Sequence, residues 1–140
     1  MLFPIELKDI AINKTTSQST TSSGRQSSLA NDGDFRTCSE TTMSAGASLE
    51  LDLGMEALVS SVKLMAVNAF GVDKLDILIG NAKSVGDPPC VSQTPVSPRK
   101  LDSFTCPSPM RGRYISVVQK YDGFATLSLC ELQVFGTFEY

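Results

Sequence analysis

Apolar and polar residues alternate along this chain in short runs separated by turn-forming residues, and that pattern predicts strands. Leu49, Leu51 and Leu53 alternate with Glu50 and Asp52, and Gly54 closes the run. A period of two places the leucines on one face and the acids on the other. Val59 to Val67 is a longer apolar run rich in valine and leucine, suited to a central strand. Leu75 to Gly80 is another short strand, and Ser103 to Cys106 a further one. Tyr114 to Val118 is aromatic and β-branched, the side chains that fit a pleated surface. Leu127 to Gly136 alternates again and ends the pattern. A helix is compatible only with the first turn of Met55 to Ala66, because Val59, Ser60, Ser61 and Val62 then favour strand.

The segments between these runs are turn-rich. Residues 15–28 are almost all Ser, Thr, Gln and Gly and read as a short strand and loop. Leu29-Ala30-Asn31-Asp32-Gly33-Asp34 is a dense turn signal. Pro88, Pro89, Pro95 and Pro98 mark residues 84–100 as a long loop or sheet edge. Six or more short strands, with no convincing helix and no internal repeat, predict an all-β antiparallel β-sandwich.

Composition narrows the function. A length of 140 residues fits one domain, which buries about two-thirds of its unfolded surface. With 41% hydrophobic and 19% charged residues the chain is globular rather than disordered. The net charge is −3 and no basic block exists, which argues against a nucleic-acid or anionic-membrane surface. No apolar run approaches the ~20 residues of a membrane helix, so no direct membrane insertion is expected. Met1 sits directly on Leu2-Phe3-Pro4 without a basic or long apolar leader. A natural leader and neighbouring domains are therefore expected to lie outside this sequence.

Histidine is absent, which removes the commonest general acid–base group and transition-metal ligand. A hydrolase or zinc enzyme is disfavoured. Asp73 and Asp76 could form a carboxylate pair, but on one short strand they read as surface charges. The four cysteines, Cys38, Cys90, Cys106 and Cys130, match no metal or redox spacing. They allow three pairings, and an even count in a short chain favours disulfides over buried thiols. Asn13-Lys14-Thr15 is an N-glycosylation sequon, compatible with an extracellular surface loop.

Five motifs in order carry a family resemblance: Asn31-Asp32-Gly33-Asp34, Leu51-Asp52-Leu53-Gly54, Phe104-Thr105-Cys106-Pro107, Met110-Arg111-Gly112-Arg113-Tyr114, and Leu129-Cys130-Glu131-Leu132-Gln133-Val134-Phe135-Gly136. Together the sequence resembles the F-type lectins, or fucolectins, within the discoidin and coagulation-factor type C group of jelly-roll, galactose-binding-like sandwiches. The resemblance covers residues 9–136, leaving 1–8 as a lead-in and 137–140 as a tail. It implies a disulfide-stapled fold in which Cys38 pairs with Cys130 and Cys90 with Cys106. Closing the shorter of these loops is worth roughly 3 kcal/mol in the chain-entropy model, and the longer somewhat more.

The resemblance also implies a structural calcium ion (Ca2+). Its ligands would be the carbonyls of Leu29 and Cys130, the backbone of Asp34, the side chains of Asp32 and Glu131, and Thr37. These are the hard oxygen donors that calcium prefers. The fucose-binding residues of the family are largely replaced. The position of its histidine falls on Glu40, that of its first arginine on Ala69, and its adjacent cysteine pair is missing. Lys74 remains as a donor. Phe35 and Phe70 could offer an apolar platform to a sugar or peptide, although Phe35 also suits ordinary packing. Arg111 and Arg113 lack interleaved aromatics and read as structural.

These readings predict a non-catalytic extracellular recognition module, secreted or part of a membrane protein's ectodomain. Its fucose binding is altered or lost, and its ligand site uses Glu40, Phe70 and Lys74. The expected partner is a cell-surface glycan or glycoprotein. A protein–protein or adhesion module on the same scaffold is the alternative. Oligomerisation would raise avidity in either case.

Overall fold

A computed structural model describes residues 7–67, 74–83, 86–120 and 123–139. The chain forms β1 (Lys8–Asp9), β2 (Thr15–Gln18), β3 (Ser39–Glu40), β4 (Ser48–Ala66), β5 (Lys74–Gly80), β6 (Pro89–Pro95), β7 (Leu101–Gln119) and β8 (Ser128–Phe138). One short 3-10 turn spans Ser27–Ala30. All strand pairings are antiparallel, in the order β1-β8-β4-β7-β5-β6, with β2 added to β4 and β3 to β8. The outer strands reach Lys8 and Phe138, so pairing extends into both flanks of the 9–136 segment.

Two long strands, β4 and β7 of 19 residues each, organise the fold. Ser48 to Asp52 pairs with Val118 to Tyr114 and, on its other side, with β2. Beyond Ala57, β4 pairs instead with the first half of β7 and with β8. Both strands therefore pass from one layer of the sandwich to the other. One layer contains β2, β5 and β6. The other contains β8 with β1 and β3. Leu49, Leu51, Leu64, Ile77, Ile115 and Leu132 are among the fully buried side chains between them.

Gly54, read from the sequence as the end of a run, lies inside β4 at the passage between layers. Its φ of +88° lets the strand turn sharply where other residues would be strained. The Asp52 carboxylate accepts the Gly54 N–H at 2.8 Å and a two-pronged bond from Arg113 at 2.7 and 3.0 Å. Arg111 pairs with Glu139 at 3.1 Å. Both arginines of the Arg111-Gly112-Arg113 run thus serve structural ion pairs.

A bulge explains the apolar run after Val59. Ser60 is passed over in the pairing with β8, and the β7 partner jumps from Met110 to Thr105 between Val59 and Ser61. The buried positions change from Ala57 and Val59 to Val62, Leu64 and Ala66, so simple alternation breaks. The proline-rich segment contains edge strand β6, with Pro89 and Pro95 at its two ends. Cys38 is bonded to Cys130, and Cys90 on β6 to Cys106 on β7.

Gly136 of β8 lies so close to β4 that a Cβ would enter the van der Waals shell of the Leu58 carbonyl and sit 3.0 Å from the Val59 Cα. Backbone atoms cannot yield as a flexible side chain can. Gly136→Ala is expected to cost about 2 kcal/mol by overpacking, read as a lower denaturant midpoint at unchanged slope.

Candidate functional site

Two places on the sandwich gather the chemistry. The first is the end where β3, β4, β7 and β8 meet their loops. Glu40 pairs with Ser128, and the Val67 N–H bonds to the Ser128 carbonyl at 3.0 Å. Ser44 and Ala125 form a bridge between the loops before β4 and before β8, with N–H to O distances of 3.0 and 3.1 Å. The Lys120 N–H reaches the Lys74 carbonyl at 2.9 Å, and the adjacent Gln119 N–H reaches that of Ala47 at 2.9 Å. Glu40 and Lys74 are therefore drawn to one end of the molecule, through separate loops.

Glu40 is half-buried and Lys74 exposed. Neither side chain forms an ion pair among the described residues. Phe70 and Ala69, on the segment between Val67 and Lys74, lie outside the described residues, as does Asp73. Phe35 is exposed rather than packed in the core. Asp76 is buried, accepting the Gln93 N–H at 2.6 Å and facing Lys120 at 3.4 Å, so it holds the sheet together.

The same end carries two residues that the sequence reading missed. Phe124 is 68% exposed and Met43 55% exposed, and they flank the bridged pair Ala125 and Ser44. Large apolar side chains this exposed at a loop end are poorly solvated by water. The available signal was an aromatic following Gly123, in a segment with no strand alternation.

The second place is the acidic turn beside β8. Asp32 accepts the Asp34 N–H at 3.0 Å and the Thr37 hydroxyl at 2.5 Å. The carboxylate of Asp34 faces outward onto Arg36, whose hydrogen bonds hold its pKa below the usual range. Leu29 lies in the 3-10 turn that packs against β8. The Cys38–Cys130 bond clamps this turn to β8 and sets Glu131 beside it.

Glu131 is 1% exposed, and its Oε2 has no hydrogen-bond partner among the described residues. Its pKa is pushed up to about 7, first by burial and then by the negative charges of Asp9, Asp32 and Asp34. Asp9 is an addition to the acidic group; its carboxylate also accepts the Ala11 and Val134 N–H groups at 2.9 and 3.0 Å. Among the described residues, no three histidine, cysteine or acidic side chains are arranged to hold a metal by themselves. A cation here would draw on carbonyl and hydroxyl oxygens as well as carboxylates, the mixed oxygen set that calcium takes. The orphaned, buried Glu131 oxygen among negative neighbours fits such an ion.

A family model described as NedA-like, galactose-binding domain matches residues 29–117, a span from the acidic turn into the end of β7. The chain belongs to this galactose-binding domain family. The solved structures place it within the discoidin-like, F-type lectin fold. A fucolectin from striped bass (Morone saxatilis) serum superposes with a TM-score of 0.84 at 20% identity, over 94% of this chain and 50% of that one. This domain thus spans half the length of the bass lectin chain. A mutant lectin binding domain of Lectinolysin, complexed with Lewis b, gives 0.78 at 24% identity, over 94% and 98% of the two chains. The family 32 CBM from C. perfringens NanJ, in complex with galactose, gives 0.77 at 24% identity, over 94% and 99%. No curated protein matches the sequence.

Glu131 makes stability depend on pH. Its folded value of about 7 exceeds the ordinary 4.5, so the folded state binds the proton more tightly. Stability from this group is present below 4.5 and is lost as pH rises through about 7. In EDTA, the denaturation midpoint is expected to fall between about pH 5 and about pH 8. Glu131→Gln, which carries no charge at either pH, should flatten that slope.

Proposed function

We propose that this domain is a non-catalytic, calcium-stabilised extracellular module that recognises a glycan through its loop end. The observation that carries the reading is the exposed Phe124–Met43 pair at the end that also holds Glu40 and Lys74. A pyranose offers an apolar C–H face and a rim of hydroxyls. An aromatic side chain, a carboxylate acceptor and an ammonium donor suit those two features. Membership of the galactose-binding domain family supports the glycan class. The glycan-bound relatives, with Lewis b and with galactose, support it by likeness.

The specificity is altered from fucose. Glu40 is an acceptor where fucolectins present a donor, and each lost hydrogen bond weakens binding by about 0.5–1.5 kcal/mol. An oxidising, extracellular setting is supported by the two disulfides. The calcium ion would be held by the Leu29 and Cys130 carbonyls, the Asp34 backbone, Thr37, Asp32 and Glu131. It would neutralise the acidic group that otherwise opposes Glu131.

Calcium should raise the melting temperature and EDTA lower it, since an ion bound only by the native state stabilises it. Glu131→Gln should abolish that difference. Recognition is tested on a glycan array, with the domain presented multivalently in calcium and free L-fucose as competitor. The expected result is binding that fucose does not displace and that Phe124→Ala weakens roughly fivefold, the equivalent of about 1 kcal/mol. Displacement by fucose would overturn the altered specificity. No binding to any glycan would favour a protein partner on the same exposed apolar pair.

A further inference from the structure

We propose that Asn13 carries an N-linked glycan, which decorates the end of the sandwich opposite the recognition loops. Asn13-Lys14-Thr15 satisfies the acceptor requirement of an amide followed, two residues on, by a hydroxyl. The structure adds what a motif alone lacks. Asn13 sits in an exposed turn with φ +57°, just ahead of β2, and its backbone N–H is anchored on the Asn31 carbonyl at 2.9 Å. Its side-chain amide forms no hydrogen bond among the described residues, so attaching a sugar breaks nothing in the fold. Thr15 is exposed at the start of β2.

The neighbours of Asn13 fit a bound saccharide. Ile12 is 48% exposed, an apolar side chain left in water beside the acceptor amide. The first sugar of an attached chain would cover it. Lys14 turns away, its ammonium 5.3 Å from the centre of the Phe138 ring.

Position gives the modification its consequence. Thr15 pairs with Asp52, next to the Gly54 bend, whereas β2 runs on so that Ser19 bonds to Ser48 at 2.9 Å. Asn13 therefore lies at the bend end, one strand length from the loops that hold Glu40, Phe124 and Lys74. A glycan there shields the base of the domain and leaves the ligand end open. In the transfer itself, a bond forms between Asn13 Nδ2 and the anomeric carbon of a lipid-linked oligosaccharide diphosphate. The bond from that carbon to the diphosphate breaks, the lipid diphosphate leaves, and the amide loses one proton.

The inference rests on the extracellular reading, yet its test is separate from that of glycan recognition. The whole chain is secreted from a eukaryotic cell line, or translated into microsomes if secretion is poor, and its mass is measured before and after peptide N-glycosidase. The expected result is an added glycan that the enzyme releases, leaving an aspartate at position 13. Asn13→Gln and Thr15→Ala should lose the added mass and Thr15→Ser should retain it, with array binding unchanged in all three. Folded chain emerging unmodified at Asn13, beside a glycoprotein that is glycosylated in the same cells, would overturn the proposal.

Discussion

A flat sheet cannot bury both of its long strands against themselves, so this sandwich depends on the bend at which β4 and β7 change layers. Gly54 supplies the left-handed backbone, while Asp52 caps the turn and holds Arg113 across it. Gly112 lets the backbone of β7 lie against Gly80, since a Cβ there would come within 2.7 Å of the Gly80 nitrogen. The Arg113 guanidinium lowers the Asp52 pKa, first by hydrogen bonding. That contribution holds above the unfolded pKa and is lost as pH falls through the lower folded value. Both groups are partly exposed, so solvent screening keeps the pair modest. Its role is geometric: it holds two motifs together that lie 61 residues apart.

Much of this was legible in the residues. The period-two run at Leu49–Leu53 falls within β4, where the leucines form its buried face, and the run from Ser128 to Gly136 falls within β8, whose first five residues are all buried. The continuity of β4 and β7 was not legible. A glycine that bends a strand and a glycine that ends one look the same in sequence, and only the register distinguishes a bend from an end. Residues 107–109 in β7 illustrate the point. Pro107 and Pro109 interrupt the pattern in sequence, yet the strand absorbs them where its partner register jumps between Met110 and Thr105. The prolines of residues 84–100 left a long loop and a sheet edge as alternatives, and Pro89–Pro95 is the edge strand β6.

The functional residues divided along another line. Cysteines alone allowed three pairings, and only the family resemblance singled out the one that clamps Glu131 beside the acidic turn. Asp9 was invisible as a member of that acidic group, because β1 reaches it through pairing with Phe135, far along the chain. Phe124 and Met43 escaped notice for a different reason. Their proposed role rests on exposure, and a sequence pattern built to find buried faces has no means of marking an apolar residue that stays outside.

The division of labour between the two ends of the chemistry follows from these placements. The acidic turn is locked by a disulfide, and Asp32 and Thr37 are hydrogen-bonded within it, so its geometry is set by the scaffold. The loop end is joined by sparse backbone bonds such as Ser44 to Ala125 and Lys120 to Lys74. Lys74, Met43 and Phe124 there are exposed, and Glu40 is half-buried. Polar side chains on such loops can be exchanged without disturbing the core. A substitution at the disulfide-clamped turn costs more, because Glu131 is buried within it. Divergence of specificity on a preserved sandwich is therefore what the energetics of the two regions favour.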